Sequence, residues 1–166
     1  MRDGNRSEAL SGNDDRPLVA PPTVDGETSL EPEAAAGTRP EDHWRWRLRM
    51  AQRIAALIDA VRFGVKALYL YGSTKNATAG PGSDVNLIAH VAADDAQRRD
   101  LLVWLDGWSR ALAEMNYLRT GCRRPGLLDV VLVTDEDVAR QTGYAARIGA
   151  VTDAARPLKV GPGAEG

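Results

Sequence analysis

The chain has 166 residues, of which 43% are hydrophobic and 27% are charged, as in an ordinary globular protein of one modest domain. No run of about 18 apolar residues occurs, and the N-terminus lacks the apolar core of a signal peptide. The single cysteine excludes an internal disulfide framework and a cysteine-rich zinc site. These features predict a cytoplasmic protein without a membrane span.

The formal charge of -2 is unevenly distributed along the chain. Residues 1–43 carry ten acidic and four basic side chains, whereas the remainder carries thirteen acidic and seventeen basic ones. The mildly basic remainder suits an anionic ligand such as a nucleotide, but it lacks the basic stripe expected of a nucleic-acid-binding surface. Residues 1–40 are polar and rich in Gly and Pro, and we predict that they form a disordered acidic tail.

The first predicted element is an amphipathic helix that begins after Pro40, with Asp42 as its N-cap, and ends at Gly64. Residues 43–49 interleave aromatic and basic side chains, and we expect the tryptophan side to be buried and the arginine side to be solvated. The apolar residues that recur at helical spacing are Trp44, Leu48, Ala51, Ile54, Ala55, Ile58 and Val61.

Two short apolar strands flank a turn. Val65–Tyr71 and Val85–Val91 have the length and composition of buried strands. Between them, Gly72–Ala77 is predicted to open a short helix. Residues 78–83 are predicted to form a loop, because they contain two glycines around Pro81.

The second half of the chain predicts a long helix over Asp94–Thr120 and a third strand over Leu127–Val133. Thr134 is the expected N-cap of a last helix, and beyond that helix the pattern fades. The order of elements predicts a compact α/β (α+β) domain over residues 41–158. The glycine-rich residues 159–166 are predicted to be flexible.

Gly72 and Ser73 lie where a buried strand is expected to end and a helix to begin. A helix start presents free N–H groups, Gly lets the backbone approach a ligand, and Ser adds a hydroxyl group. The pair therefore suits a phosphate cradle. The alternative is an ordinary strand-to-helix turn with a serine cap.

Asp84 and Asn86 open the second strand directly after Ser83. Alternate residues of a strand project to one face, so the carboxylate and the amide should stand together, opposite Val85 and Leu87. Mg²⁺ prefers hard oxygen ligands, of which Asp84 supplies a carboxylate and Asn86 only a neutral carbonyl oxygen. The alternative is that both residues bracket a loop-to-strand turn.

Asp129 is the one acid in the third strand. We expect burial there, and an unpaired buried carboxylate is costly. Asp129 is therefore either a metal ligand or general base at the edge of a site, or the partner of Arg123, Arg124 or a backbone group.

The ordered set of these fragments resembles the nucleotidyltransferase superfamily with the DNA polymerase β-like fold, particularly its minimal members. The matching stretches are YLYGS at residues 69–73, SDVNLI at 83–88 and LDV at 128–130. The resemblance covers roughly residues 50–135 and implies a small mixed sheet flanked by helices.

By this resemblance, Gly72, Ser73 and Ser83 would bind the phosphates of ATP or another nucleoside triphosphate. Lys75 lies one turn into the predicted short helix and would also reach a phosphate, although a solvated helix lysine is an equal alternative.

The resemblance also implies that Asp84, Asn86 and Asp129 bind Mg²⁺ or Mn²⁺, with Asp84 and Asp129 as the catalytic carboxylates. Such a protein transfers a nucleotide monophosphate to a protein or small molecule and releases pyrophosphate. The family has a second Asp where this chain has Asn86. The lost charge is expected to weaken metal binding by orders of magnitude, so the sequence leaves open whether transfer occurs.

A whole-chain similarity over residues 64–157 is to nucleotidyltransferase-like domains attached to phosphoenolpyruvate synthase or pyruvate phosphate dikinase-type proteins. It implies a phosphotransferase-type partner. Other relatives are antitoxin partners of small helical toxins. The alternative function is therefore a non-catalytic regulatory or antitoxin-like module that retains the fold.

Overall fold

The structure is a computed structural model that describes residues 39–161. Residues 1–38 of the predicted tail and residues 162–166 lie outside the described part of the chain. Within residues 39–161, no helix is both long enough and apolar enough to cross a membrane.

The described elements follow the predicted order, with a separate short helix after the first helix and with a 3-10 helix and a fourth strand added at the end. In chain order they are α1 (Pro40–Leu57), α2 (Ala60–Phe63), β1 (Val65–Tyr71), α3 (Gly72–Lys75), β2 (Val85–Val91), α4 (Asp95–Thr120), β3 (Leu128–Val133), α5 (Asp135–Arg140), a 3-10 helix (Gly143–Arg147) and β4 (Arg156–Leu158). The bounds predicted for the first two strands are confirmed, and the third strand begins one residue later than predicted.

The four strands form one mixed sheet in the order β3-β2-β1-β4. Strand β1 pairs antiparallel with β2 and β4, whereas β2 and β3 run parallel. Because β1 runs opposite to its neighbours, its C-terminal end lies beside the N-terminal ends of β2 and β3. The expected small mixed sheet flanked by helices is confirmed.

One face of the sheet packs against α1 and α4 and forms the main core. The prediction that Val85, Leu87, Ala89 and Val91 face this core is confirmed. The opposite face carries a second, smaller cluster, which is covered by the 3-10 helix and the segment after it. Its buried members are Tyr71, Ile88, Val133, Ala145 and Ala155.

The first helix begins earlier than predicted. Arg39 is the N-cap, and Asp42 is the third helical residue rather than the cap. The Asp42 carboxylate accepts a hydrogen bond from the Arg39 N–H at 3.1 Å, so it stabilises the helix start from inside the first turn.

The same helix also ends earlier than predicted, at Leu57. Ile58 is extended, and the Asp59 carboxylate caps α2 by accepting from the Arg62 N–H at 2.9 Å. This local cap interrupts the helical phase. As a result, Val61 is 74% exposed and does not continue the buried stripe.

The expectation that α1 buries its tryptophans and solvates its arginines is wrong for one arginine. Arg47 is fully buried, whereas Trp44 and Trp46 are only half-buried. Arg47 lies four residues before Ala51 and therefore on the buried face of the helix. Arg45 and Arg49 are exposed, as expected.

Strand β4 was not predicted. It has only three residues and includes Pro157, which suits an edge strand because proline lacks an N–H donor. Leu158 lies opposite Leu68 of β1. After the strand, the Gly161 N–H donates to the Ala55 carbonyl at 2.9 Å, so the first residues of the predicted flexible end lie against α1.

Candidate functional site

Five of the predicted site residues meet where β1 ends and where β2 and β3 begin. In the sheet register, Asn86 lies opposite Tyr71 on one side and beside Asp129 on the other. Gly72 and Ser73 lie in the turn after Tyr71, and Asp84 directly precedes β2. We call the resulting group the corner; its members are Gly72, Ser73, Asp84, Asn86 and Asp129.

Gly72 allows the turn and strand β2 to approach closely. Its φ angle is +74°, in the left-handed region that favours glycine. A Cβ atom at this position would lie 2.7 Å from Asn86 Oδ1. The close approach predicted for Gly72 is therefore made, in this structure, to the Asn86 side chain.

The Asn86 amide bridges the turn and the third strand. Its Nδ2 donates to Asp129 Oδ2 at 3.1 Å, while its Oδ1 lies on the Gly72 side. An amide can play both parts because it carries a donor and an acceptor. An aspartate in its place would offer Asp129 no hydrogen.

The expectation that Asp129 is buried is wrong. Asp129 is exposed, because β3 is an edge strand and no strand covers its outer side. Its side-chain partner is Asn86 rather than Arg123 or Arg124. Arg123 instead lies over the Tyr117 ring, 3.7 Å from its centroid.

Asp84 pairs with Arg124 at the rim of the corner. Arg124 Nη2 donates to Asp84 Oδ1 at 3.0 Å and to Oδ2 at 3.3 Å. Both side chains are about a third exposed, so the pair is expected to contribute at most about 1 kcal/mol. In this structure the guanidinium takes the place beside Asp84 where the resemblance implies a cation.

The two predicted serines are placed differently. Ser73 is half-buried in α3, and its carbonyl accepts from the Thr78 N–H at 2.9 Å. Ser83 Oγ accepts from the Gly80 N–H at 2.9 Å and so closes its own loop. Ser73 belongs to the corner, whereas the Ser83 hydroxyl stabilises the loop that leads to Asp84.

The structure places Lys75 against the loop before β4. Its Nζ donates to Asp153 Oδ1 at 2.6 Å and to the Ala154 carbonyl at 3.0 Å. Asn76 and Arg147 donate to the same carboxylate. These hydrogen bonds, that from Lys75 foremost, hold the pKa of Asp153 below its ordinary value.

Tyr71 is a neighbour of the corner that the site prediction omitted. It is buried in the smaller cluster, with the Tyr144 ring centroid at 5.6 Å and the Arg147 guanidinium 5.3 Å from its ring. Burial, and secondly the negative charge of Asp129, raise the pKa of Tyr71 above its ordinary value. Its position as the last residue of β1, before Gly72, is the signal that could have identified it.

The corner does not fit a two-metal centre in this arrangement. Its two acids are Asp84 and Asp129. Asp84 forms an ion pair with Arg124, and Asp129 accepts a hydrogen bond from Asn86. Within residues 39–161, no group of three or more His, Cys, Asp or Glu residues could hold a metal ion. Divalent ions need carboxylates that are free to coordinate them, and in this arrangement both carboxylates have protein partners.

A separate cavity of about 520 Å³ lies between α1 and β4. It is lined by Gln52, Ala56 and residues 156–161, so none of the corner residues contributes to it. At the corner, Asp129 is exposed and the other four residues are half-buried.

No family model and no curated protein matches this sequence. Among solved structures, the chain is similar to a candidate nucleotidyltransferase from Sulfolobus solfataricus, with 11% identity and a TM-score of 0.36. The similarity covers 64% of this chain and 84% of that chain. A similarity with this TM-score supports no conclusion about fold or activity. The function is therefore inferred from the corner residues.

Proposed function

We propose that the chain is a nucleotidyltransferase-like protein that binds a nucleoside triphosphate at the corner and transfers its nucleotide slowly or not at all. The observation that carries the proposal is the meeting of sequence-distant residues at one end of the sheet, with Asn86 between Gly72 and Asp129. In chain order these residues match the motifs that carry the resemblance, except Asn86, where the family has an aspartate.

The phosphates would lie against the turn at Gly72 and Ser73. These residues open α3 directly after Tyr71, which contributes no side-chain hydrogen bond to the helix start. Their N–H groups and the Ser73 hydroxyl are therefore suitable donors to phosphate oxygens. Asp84 and Asp129 would face the Mg²⁺ or Mn²⁺ ion that accompanies a triphosphate.

Slow transfer follows from the charge of the corner. Two carboxylates and the Arg124 guanidinium leave a net charge of about -1, which compensates two divalent cations poorly. The Asn86 amide contributes no charge, and its N–H group bonds one oxygen of the Asp129 carboxylate, Oδ2, which would have to be shared with a metal ion or an acceptor hydroxyl. The acceptor would be a protein or a small molecule.

A transfer assay tests the catalytic part of the proposal. The protein, Asn86→Asp and Asp84→Ala are each incubated with labelled nucleoside triphosphates and Mn²⁺. We expect the highest incorporation in Asn86→Asp, because it adds a third carboxylate to those of Asp84 and Asp129, and none in Asp84→Ala. Equal incorporation by all three proteins would show that the corner is not the transfer site.

A second candidate is the non-catalytic partner module, regulatory or antitoxin-like. It is favoured because both acids of the corner already have protein partners and because α4 exposes Leu102, Val103 and Leu118. In this case Mg²⁺ and ATP leave the melting temperature unchanged. The protein should instead form a stoichiometric complex with a helical toxin or a phosphotransferase-type protein encoded by a neighbouring gene. Loss of that complex in Val103→Asp would support this candidate.

A further inference from the structure

Arg47 is a fully buried charge in α1 without a carboxylate partner among residues 39–161. Its guanidinium donates instead to neutral oxygens. Nε donates to the Ser83 carbonyl at 3.1 Å, Nη1 to the His43 carbonyl at 2.9 Å, and Nη2 to the Pro81 carbonyl at 3.2 Å and to Asn116 Oδ1 at 2.8 Å. Burial of an arginine is costly unless its N–H groups are hydrogen-bonded. The fold is therefore most stable when these four oxygen atoms stay close to the guanidinium.

Asn116, on α4, completes the network from the opposite side. It is also fully buried, and its Nδ2 donates to the Pro81 carbonyl and to the Cys122 carbonyl, each at 3.0 Å. One amide therefore contacts Arg47, the loop before β2 and the loop before β3.

Both loops end at the rim of the corner. The Ser83 carbonyl belongs to the peptide unit that precedes Asp84, and Cys122 lies two residues before Arg124. Asp84 and Arg124 then form the ion pair at the surface, at 3.0 Å. The buried Arg47–Asn116 pair and the Asp84–Arg124 pair at the surface thus connect the same two loops.

We propose that Arg47 and Asn116 are positioning residues, which hold the two loops so that Asp84 and Arg124 meet at the corner. What the corner binds rests on the proposed function, whereas the loop geometry can be tested without it. The role of Arg47 in this pair depends on the guanidinium group. A lysine at 47 has one nitrogen and cannot span Ser83, Pro81 and Asn116 together.

Asn116→Asp is the most selective variant. It keeps an acceptor for Arg47 but removes both Nδ2 donations, to Pro81 and to Cys122. Asn116→Ser shortens the side chain without adding charge and serves as the second variant if the aspartate prevents folding. The control for stability is Leu101→Ala, since Leu101 is a fully buried side chain near the start of the same helix, away from both loops.

Cys122 is the only cysteine of the chain and is half-buried, so its alkylation rate reports on the loop before β3. Measured well below the melting temperature, the rate is expected to rise about tenfold in Arg47→Lys, Asn116→Asp and Asn116→Ser, as fits the loss of buried hydrogen bonds to loop carbonyls. Leu101→Ala, which changes the core away from both loops, should leave the rate unchanged at a comparable loss of stability. Rates that follow stability alone across all four variants would overturn the proposal.

Two further readouts separate this proposal from the proposed function. In ¹H–¹⁵N spectra, Asn116→Asp should shift the amide signals of Ser83 and Asp84, and unchanged signals would contradict the positioning role. The affinity for MgATP should fall in the Arg47 and Asn116 variants but not in Leu101→Ala. If the unmodified protein binds no MgATP while the alkylation rates and amide shifts behave as expected, the positioning role stands and the proposed function fails.

Discussion

At the corner, the Asn86 amide lies between the Asp129 carboxylate and the Gly72 turn. Asn86 satisfies Asp129 with an N–H group and meets the Gly72 turn with its oxygen. The amide therefore contacts one carboxylate and the turn without a cation. This gives Asn86→Asp a predictable effect on stability as well as on transfer.

Asn86→Asp would place two carboxylates about as far apart as the present 3.1 Å contact. Without divalent ions their repulsion should lower the melting temperature below that of the unmodified protein. With Mn²⁺ at 100 times its dissociation constant, binding should restore about 2.7 kcal/mol. Thermal unfolding with EDTA and with Mn²⁺ measures both effects.

The matched control is Asn76→Asp, which adds the same charge beside Asp153, where Lys75 and Arg147 already compensate it. We expect little response to Mn²⁺ in that variant. An equal response to Mn²⁺ in the two variants would contradict a cation site at the corner.

Tyr71 and Asp129 are expected to be coupled electrostatically. Burial is the main cause that raises the pKa of Tyr71, and the negative charge of Asp129 is the second. Asp129→Asn should therefore lower the pKa of Tyr71 part of the way towards its ordinary value. NMR titration of ¹³C-labelled tyrosine measures this change; an unaltered Tyr71 titration would show that the two side chains do not face each other.

Among the elements, the junction of β1 and α3 depends most on one residue. Gly72 has a left-handed φ angle, and an added Cβ would meet the Asn86 oxygen. Gly72→Ala should lower the free energy of unfolding by about 1–3 kcal/mol, from backbone strain and this contact.

Urea unfolding of Gly72→Ala, Asn86→Ala and the double variant separates the two causes. The cost of the alanine at 72 should be smaller when Asn86 is shortened, because only the backbone strain remains. Strictly additive effects would mean that the turn and Asn86 do not contact each other.

The loop before β4 is attached to α3 through Asp153, and this attachment should depend on pH. Because the folded pKa of Asp153 is lowered, its ion pairs stabilise the fold above the ordinary carboxyl pKa of 3.8 and are lost as the pH falls through the folded value. Asp153→Asn should therefore lower the melting temperature at pH 7 and have a diminishing effect below pH 3.8.

A suitable control is Asp106→Asn, which breaks the exposed pair with Arg110 within α4. Such pairs contribute little, so its melting temperature should stay close to that of the unmodified protein at both pH values. A Tm loss in Asp153→Asn that is the same at pH 7 and pH 3 would exclude the ion pairs as its cause.

At the scale of the whole molecule, local patterns predicted the elements and failed where non-local pairing decided the outcome. Strands β1 and β2 are mostly apolar segments bounded by glycine or polar turns, and their predicted bounds are confirmed. Strand β4 has three residues and acquires its conformation only by pairing with β1. No local pattern of that length predicts a strand.

At the corner, too, local patterns were predictable from the sequence, whereas features that depend on distant residues were not. The sequence order predicted that Asp84 and Asn86 share a face, because strand alternation is local. The exposure of Asp129 depends on β3 being an edge strand, which only the strand order of the sheet decides. Likewise, the burial of Arg47 requires the loop carbonyls and the Asn116 oxygen that surround it, and these come from distant parts of the chain.

The most direct test of the account is to titrate the ¹⁵N-labelled protein with MgATP and to map the perturbed amide signals. The account predicts that the perturbations cluster at Gly72, Ser73, Asp84, Asn86 and Asp129, and that Asp84→Ala weakens them. No perturbation at saturating MgATP, or perturbations confined to the cavity between α1 and β4, would contradict it.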